Sequence, residues 1–331
     1  MTYTSGSLIE AADYNGFVSS SANNVNAIWS TGSGDKGYGQ TAIANVSVGG
    51  TVTATQWASL VNTLASLGSH QGTTITSRTA PVAGDIINIL ANVATDINNI
   101  TTNRGNAAAS GAEYTTFSGT TSKTTSTGSG TTAWTITFTH TITFASADAM
   151  RYFFNAGGRV KWQTSKTSTG TVADTEWNDL ANTLVGDIFI TGGTGTQVIS
   201  GTSYTGTTIS GGTGTPNILL TTTGFYDLTT TPTNIYRQFA DTAPYTGQYI
   251  NIAASVNSNS APTVMTLTTT WVDPGGASVG STDVITGGTA TSSPFSSFGT
   301  APATVVTYFP PSTTYLTTAS WGTPTIAASV T

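Results

Sequence analysis

Apolar positions change their period along this chain, and the changes divide it into regions. Between residues 7 and 30, Leu8, Ala11, Ala12, Phe17, Val25, Ile28 and Trp29 recur at mostly helical spacing. Asn15-Gly16 and Ser19-Ser20-Ser21 interrupt the run, so two shorter helices fit it as well as one. The glycine loop TGSGDKGYGQ follows over residues 31–40. It is not a Walker A loop, because no Gly-Lys-Ser/Thr follows and no strand precedes it.

Thr53 or Thr55 then caps a helix through Trp57, Leu60, Val61, Leu64 and Leu67, with Gly68 as its stop. That places His70 just past a helix C-terminus, where it would hydrogen-bond or complement the helix dipole rather than bind a metal. Pro81 opens the next helix, on which Ile86, Ile87, Leu90, Val93, Ile97 and Ile100 step by three and four. From Asn103 to Gly111 the composition turns to Asn, Ala, Ser and Gly and reads as a linker. Weak alternation then leads to a Gly/Ser turn near residue 130.

The segment Trp134–Trp162 predicts strand, short helix, glycine stop and strand. Alternation runs through Trp134, Ile136 and Phe138, then slips phase through Ile142 and Phe144, with His140 in a structural position between them. Ser146 caps a helix carrying Met150, Phe153, Phe154 and Ala156 on one face, and Gly157-Gly158 ends it with a left-handed residue. Another helix runs from Thr171 to Leu184. Its Thr175-Glu176-Trp177-x-x-Leu180-x-Asn182-Thr183-Leu184 echoes Thr55-Gln56-Trp57-x-x-Leu60-x-Asn62-Thr63-Leu64, either by duplication or because two amphipathic helices reached one solution.

Beyond Gly186 the pattern is β. Three near-copies, Ile190–Thr196, Ile209–Thr215 and Ile285–Thr291, bring an apolar residue into a Gly-Gly pair flanked by Thr, as tight hairpin turns require. Gln248–Val256 and Val264–Asp273 form a strand pair joined by the polar Asn257–Pro262 turn. Short strands at Val305–Tyr308, Thr313–Thr317 and Thr325–Val330 complete the chain. The expected fold class is α+β, a helical N-terminal region followed by a mainly antiparallel, sandwich-like β domain with a few short helices. Its regions are residues 1–110, for attachment and oligomerisation; 111–190, a strand-helix-strand module; and 191–331, a β-rich outer domain.

Composition sharpens this picture. Of 331 residues only 7% are charged, against about a quarter in ordinary soluble proteins, while 37% are hydrophobic and the net charge is −6. Disorder requires fewer apolar residues and more net charge, and no apolar run approaches the roughly 20 residues of a membrane span. The polar surface is therefore Thr, Ser, Asn and Gly. Nine Lys and Arg against fifteen Asp and Glu leave no basic patch for nucleic acid. Cysteine is absent, and no basic-then-apolar leader opens the chain. A hydroxyl-rich surface without an export address fits a virion component, assembled in the host cytoplasm and released by lysis.

Candidate chemistry is sparse. The glutamates are Glu10, Glu113 and Glu176, and carboxylate pairs for glycoside hydrolysis could be drawn from Asp227, Asp241, Asp273 and Asp283, although spacing alone brings no two of them together. No G-x-S-x-G elbow accompanies the two histidines. Neither zinc nor calcium spacing is present. No catalytic, cofactor-binding or metal-ligating residue is nominated, and no cofactor is expected.

Four segments, DYNGF at 13–17, GSGDKGYGQ at 32–40, VTATQWASL at 52–60 and MRYFFNAGGRVKW at 150–162, carry a resemblance to virion structural proteins of tailed phages. The likeness covers roughly residues 8–190 and is greatest to tail-fiber-like, baseplate- or neck-associated proteins of marine and cyanobacterial phages. The resemblance implies a non-enzymatic fiber or fiber-adaptor subunit whose partners are its own copies, as a trimer, other tail or neck proteins, and host surface glycan. The alternatives are a phage polysaccharide depolymerase or glycan-binding lectin, and a capsid decoration or tail-tube protein.

Overall fold

The computed structural model describes residues 10–85, 92–115, 117, 120–123, 133–168, 172–193, 195–275, 288–291 and 302–331. The N-terminal region is helical. Helix α1 (Ala11–Asn15) runs directly into a π-turn over Gly16–Ser20, and α2 (Val25–Trp29) starts afresh where the Asn24 side chain accepts the Ala27 N–H at 2.8 Å. The interrupted run thus gives two short helices.

Thr53 caps α3 (Ala54–Gln71) in a capping box with Gln56, whose Oε1 accepts the Thr53 N–H at 2.8 Å. Gly68 does not stop this helix. Termination falls to Gly72, in the left-handed region at φ 66°, and His70 lies inside the last turn. Gly68 instead makes room for the chain that follows. A Cβ there would stand 3.1 Å from the Thr73 carbonyl, so its absence lets the returning chain pack close. Helix α4 (Val93–Thr102) begins after Asn92, and residues 81–85 are not helical, so Pro81 opens no helix. Val93, Ile97 and Ile100 are buried as the stripe requires, while Ile86, Ile87 and Leu90 lie outside the described residues.

Two further helices are α5 (Ala147–Asn155) and α6 (Val172–Asp179), the latter continued by a π-turn over Leu180–Leu184. Strands begin with β1 (Thr120–Lys123), β2 (Trp134–Thr143), β3 (Arg159–Ser165), β4 (Asp187–Ile190), β5 (Thr196–Ile199), β6 (Thr202–Thr205) and β7 (Thr207–Ser210). Then come β8 (Ile218–Leu219), β9 (Thr233–Phe239), β10 (Tyr249–Val256), β11 (Val264–Asp273), β12 (Gly288–Thr291), β13 (Ala303–Phe309) and β14 (Thr325–Val330). One six-stranded sheet has the order β1-β12-β13-β3-β4-β7, antiparallel except where β12 meets β13. The other, β14-β2-β11-β10-β9-β8, is antiparallel throughout, and β5 with β6 forms a separate ribbon. The fold is therefore α+β.

The sheets meet face to face. The Trp162 indole N–H on β3 reaches across to the Thr269 hydroxyl on β11 at 2.8 Å. Trp177 packs against Trp134 and Trp271, at centroid distances of 5.1 and 5.4 Å. On β2, Trp134, Ile136, Phe138, His140 and Ile142 are all buried, so the alternation never slips phase. The histidine fills an inward position. Outward on the same strands, Thr137, Thr139 and Thr141 stand opposite Thr270, Thr268 and Thr266. Hydroxyls on that face explain how a strand-rich protein carries so few charges.

The β-region departs from the expected turns and strands. Gly192-Gly193 joins β4 to β5, which do not pair, and neither glycine has positive φ, so this is no hairpin. Gly211 and Gly212 do adopt φ 72°, yet they carry the chain from β7 in one sheet to β8 in the other. In the third copy Ile285, Thr286 and Gly287 lie outside the described residues, while Gly288–Thr291 is strand β12. Residues Thr313–Thr317 are loop instead of strand. Regions 111–190 and 191–331 share both sheets: β2 sits between β14 and β11, and β3 between β13 and β4. One continuous apolar cluster runs from Ala11 to Ile326.

Candidate functional site

The region richest in convergent polar groups forms where the 31–39 loop meets α5. The loop's tight path depends on glycine. At Gly37, with φ 99°, a Cβ would lie 2.1 Å from the Thr31 carbonyl oxygen. Helix α5, capped by Ser146 and ended by Gly157 at φ 93°, presents Arg151 and Asn155 to that loop. Arg151 donates to the carbonyls of Lys36 and Thr31 at 2.7 and 2.8 Å and pairs with Asp148 at 2.8 Å. Asn155 donates to the carbonyls of Gly34 and Gly37. From the end of α4, Arg104 forms an ion pair with Asp35.

Tyr226 closes the arrangement. Its hydroxyl lies 2.5 Å from Asn155 Oδ1 and 2.8 Å from the Gly34 carbonyl. Burial pushes the phenol above its ordinary range, so it stays a donor. Behind the ring, Phe225 stacks on Phe154 at 4.5 Å with planes 12° apart. Tyr226 lines two clefts. One, about 570 Å³, is walled by Asp35, Arg104, Gln197 and Asp227 with the Gly192-Gly193 segment. The second, about 450 Å³, lies between the glycine loop, Arg151 and the Ser258–Ser260 turn. Both volumes fall in the roughly 300–1,000 Å³ range of small-molecule sites.

The two histidines are each buried in the core. His70 is buried; its Nε2 sits 3.1 Å from the Ala156 carbonyl, which only accepts, so Nε2 carries the proton. Burial holds it down to about 4, so it is neutral at pH 7 and does not complement the helix dipole through charge. His140 is likewise held down to about 4 by burial. The Thr304 backbone faces it from the other sheet and opposes that shift in part, yet neither ring nitrogen meets hydrogen-bonding geometry.

Among the carboxylates weighed for hydrolysis, Asp273 is buried, accepting from Gln248 at 3.0 Å and from the Gly275 N–H at 2.8 Å. Asp227 accepts the Gly224 N–H at 2.9 Å, and Asp283 lies outside the described residues. Asp241 does join two other acids. Glu176 and Asp179, from α6, lie with it so that one oxygen of each falls within 4.8 Å of the others. Those three could hold a cation. Burial, then Asp179 and Asp241, raise the Glu176 carboxyl, while the Thr242 backbone N–H and hydroxyl lower it in part. These three acids line none of the best-formed clefts among the described residues, which are walled by Arg78, Tyr226, Trp57, Trp29 and Arg151 among others.

Sequence reasoning treated the 31–40 loop as a plain connection and Tyr226 not at all. Asn155, two residues before the Gly157 stop, was likewise passed over, since nothing in its local pattern marks a side chain that bonds a loop more than a hundred residues away. The chain matches no protein-family profile, no curated protein and no solved structure.

Proposed function

We propose that this chain is a non-enzymatic structural subunit of a phage particle, a tail or neck fiber or fiber adaptor that self-associates and meets the host surface through glycan. The supporting observation is where its few charges go. Arg78–Asp96 and Lys166–Asp174 are ion pairs buried in the fold, Lys161 is buried beside an exposed Glu113, and Arg159 lies against Phe189, Tyr204 and Phe309. The surface left over is hydroxyl-rich. Copies around a symmetry axis can then meet without setting like charges side by side. The sequence resemblance over residues 8–190 supports the same reading.

Sedimentation of the purified chain at micromolar concentration tests it. A species three times 33.7 kDa is expected, and a monomer overturns the trimeric fiber reading. The depolymerase reading draws on one observation, Glu176 with its raised carboxyl beside Asp179 and Asp241. Reducing ends released from bacterial capsular polysaccharide, and lost in Glu176→Gln, would decide in its favour.

A further inference from the structure

We propose that the paired clefts on either side of Tyr226 form a binding site for a neutral saccharide chain. The inference deepens the surface-contact part of the functional reading and rests on it for biological purpose, but its physical basis is local.

The first observation is a pair of orphaned groups. Gln197 is 8% exposed and holds its Nε2 against the Gly105 carbonyl at 3.0 Å, while its Oε1 has no partner. Arg104 uses its terminal nitrogens on Thr101 and Asp35, while its Nε has none. Both residues line the larger cleft. Both atoms are closed off from solvent as the side chains stand, so a ligand reaches them only if those side chains turn toward the cleft; an unsatisfied acceptor and donor lower the cost of that turn and suit a ligand that satisfies both. An anion would suit Arg104 and repel Gln197 Oε1; a cation would do the reverse. A hydroxyl both donates and accepts, and so serves either.

Charge balance speaks against an acidic ligand. Arg104 is already paired with Asp35, and Arg151 with Asp148, so the walls offer no spare cation, while Asp227, held by the Gly224 N–H, adds a negative charge to the larger cleft. Aromatic placement supplies the rest. Tyr226 is 37% exposed and lines both clefts, while its hydroxyl is pinned and its neighbour Phe225 is stacked on Phe154. A ring fixed in this way is a ready surface for the apolar C–H face of a pyranose, and polar side chains on both sides can take its equatorial hydroxyls. A chain lying across Tyr226 would occupy both clefts.

The test uses the full chain and saturation-transfer NMR with maltotriose, cellotriose, chitotriose and mannotriose, each at millimolar concentration, alongside anionic trigalacturonate. Transfer to at least one neutral trisaccharide is expected, with affinity reduced about tenfold or more in Tyr226→Ala and retained in large part in Tyr226→Phe. Gln197→Met serves as the second variant, also expected to weaken binding, in case Tyr226→Ala melts early. Silence from every neutral sugar overturns the proposal, as does preference for trigalacturonate. Binding that survives both Tyr226→Ala and Gln197→Met in folded protein overturns it too. Sedimentation of the same samples reads oligomeric state separately, so a failed sugar titration leaves the assembly reading standing, and a monomer that binds sugar leaves this one standing.

Discussion

His140 shows how much a single inward position can matter. Its ring is buried, neither nitrogen meets hydrogen-bonding geometry and the Thr304 backbone offsets its desolvation only in part, so its polarity stabilises the folded state little. Burial holds both His140 and His70 down to about 4, below the ordinary value near 6.5. The sign follows from proton uptake. Between these limits the unfolded chain binds protons that the folded chain refuses, so stability is full above about pH 6.5 and falls toward pH 4. Below that the loss levels off at about 3 kcal/mol per histidine. His140→Leu is therefore expected to match the wild type within about 1 kcal/mol at pH 7 and to lose less stability on acidification. Urea midpoints at pH 7 and pH 5 measure this. An unchanged acid loss in the variant refutes it.

Elements in this protein are joined by side chains reaching backbone far away in sequence. Gln40, 4% exposed, is the fullest case. Its Oε1 accepts the N–H groups of Thr317 and Thr318 at 2.9 and 3.0 Å, and its Nε2 donates to Tyr38, Thr318 and Ser320, each at 3.0 Å. The helical region is thereby clasped to the loop before β14. Thr313–Thr317 is loop despite its strand-like residues because amides within it are used locally or by the clasp: Thr314 donates to the Ser312 hydroxyl, Leu316 to the Thr313 carbonyl and Thr317 to Gln40. Gln40→Ala should cost about 2–4 kcal/mol in thermal or urea unfolding and speed hydrogen exchange at the Thr317 and Thr318 amides. Unchanged exchange there would show that the clasp contributes nothing.

At the scale of the whole molecule, the expected division into three regions meets a continuous core. Strand β2 lies between two strands of the C-terminal region, β3 pairs with β13 of that region on one side, and α5 packs Phe153 on Tyr308 and Phe154 on Phe225, at 5.9 and 4.5 Å. Helix α3 joins the same core, with Trp57 edge-on to Tyr14 at 5.3 Å and Leu60, Leu64 and Leu67 buried. Calorimetry should therefore record one cooperative transition whose van't Hoff and calorimetric enthalpies agree. Two resolved peaks would mark the helical part as an independent unit. The Trp57 and Trp177 segments bury the same residue types, Trp, Leu and Leu, in different surroundings: Trp57 against Tyr14 and Phe17, Trp177 against Trp134 and Trp271.

Local rules determined much of this protein from its sequence alone. The Thr53 and Ser146 caps, the Gly157 stop, the β10–β11 hairpin and the inward faces of β2 and β11 all follow from contacts within a few residues or from a simple period. Tertiary structure decided what depends on distant partners. Gly68 is small because Thr73 returns over it, and Gly211-Gly212 turns between sheets instead of closing a hairpin. Tyr226 reaches Gly34 across 192 positions of sequence, and Glu176 meets Asp241 only once α6 and the end of β9 are packed together. Periodicity records which face of an element is buried, but the choice of partner lies in the packing of faces far apart in the chain.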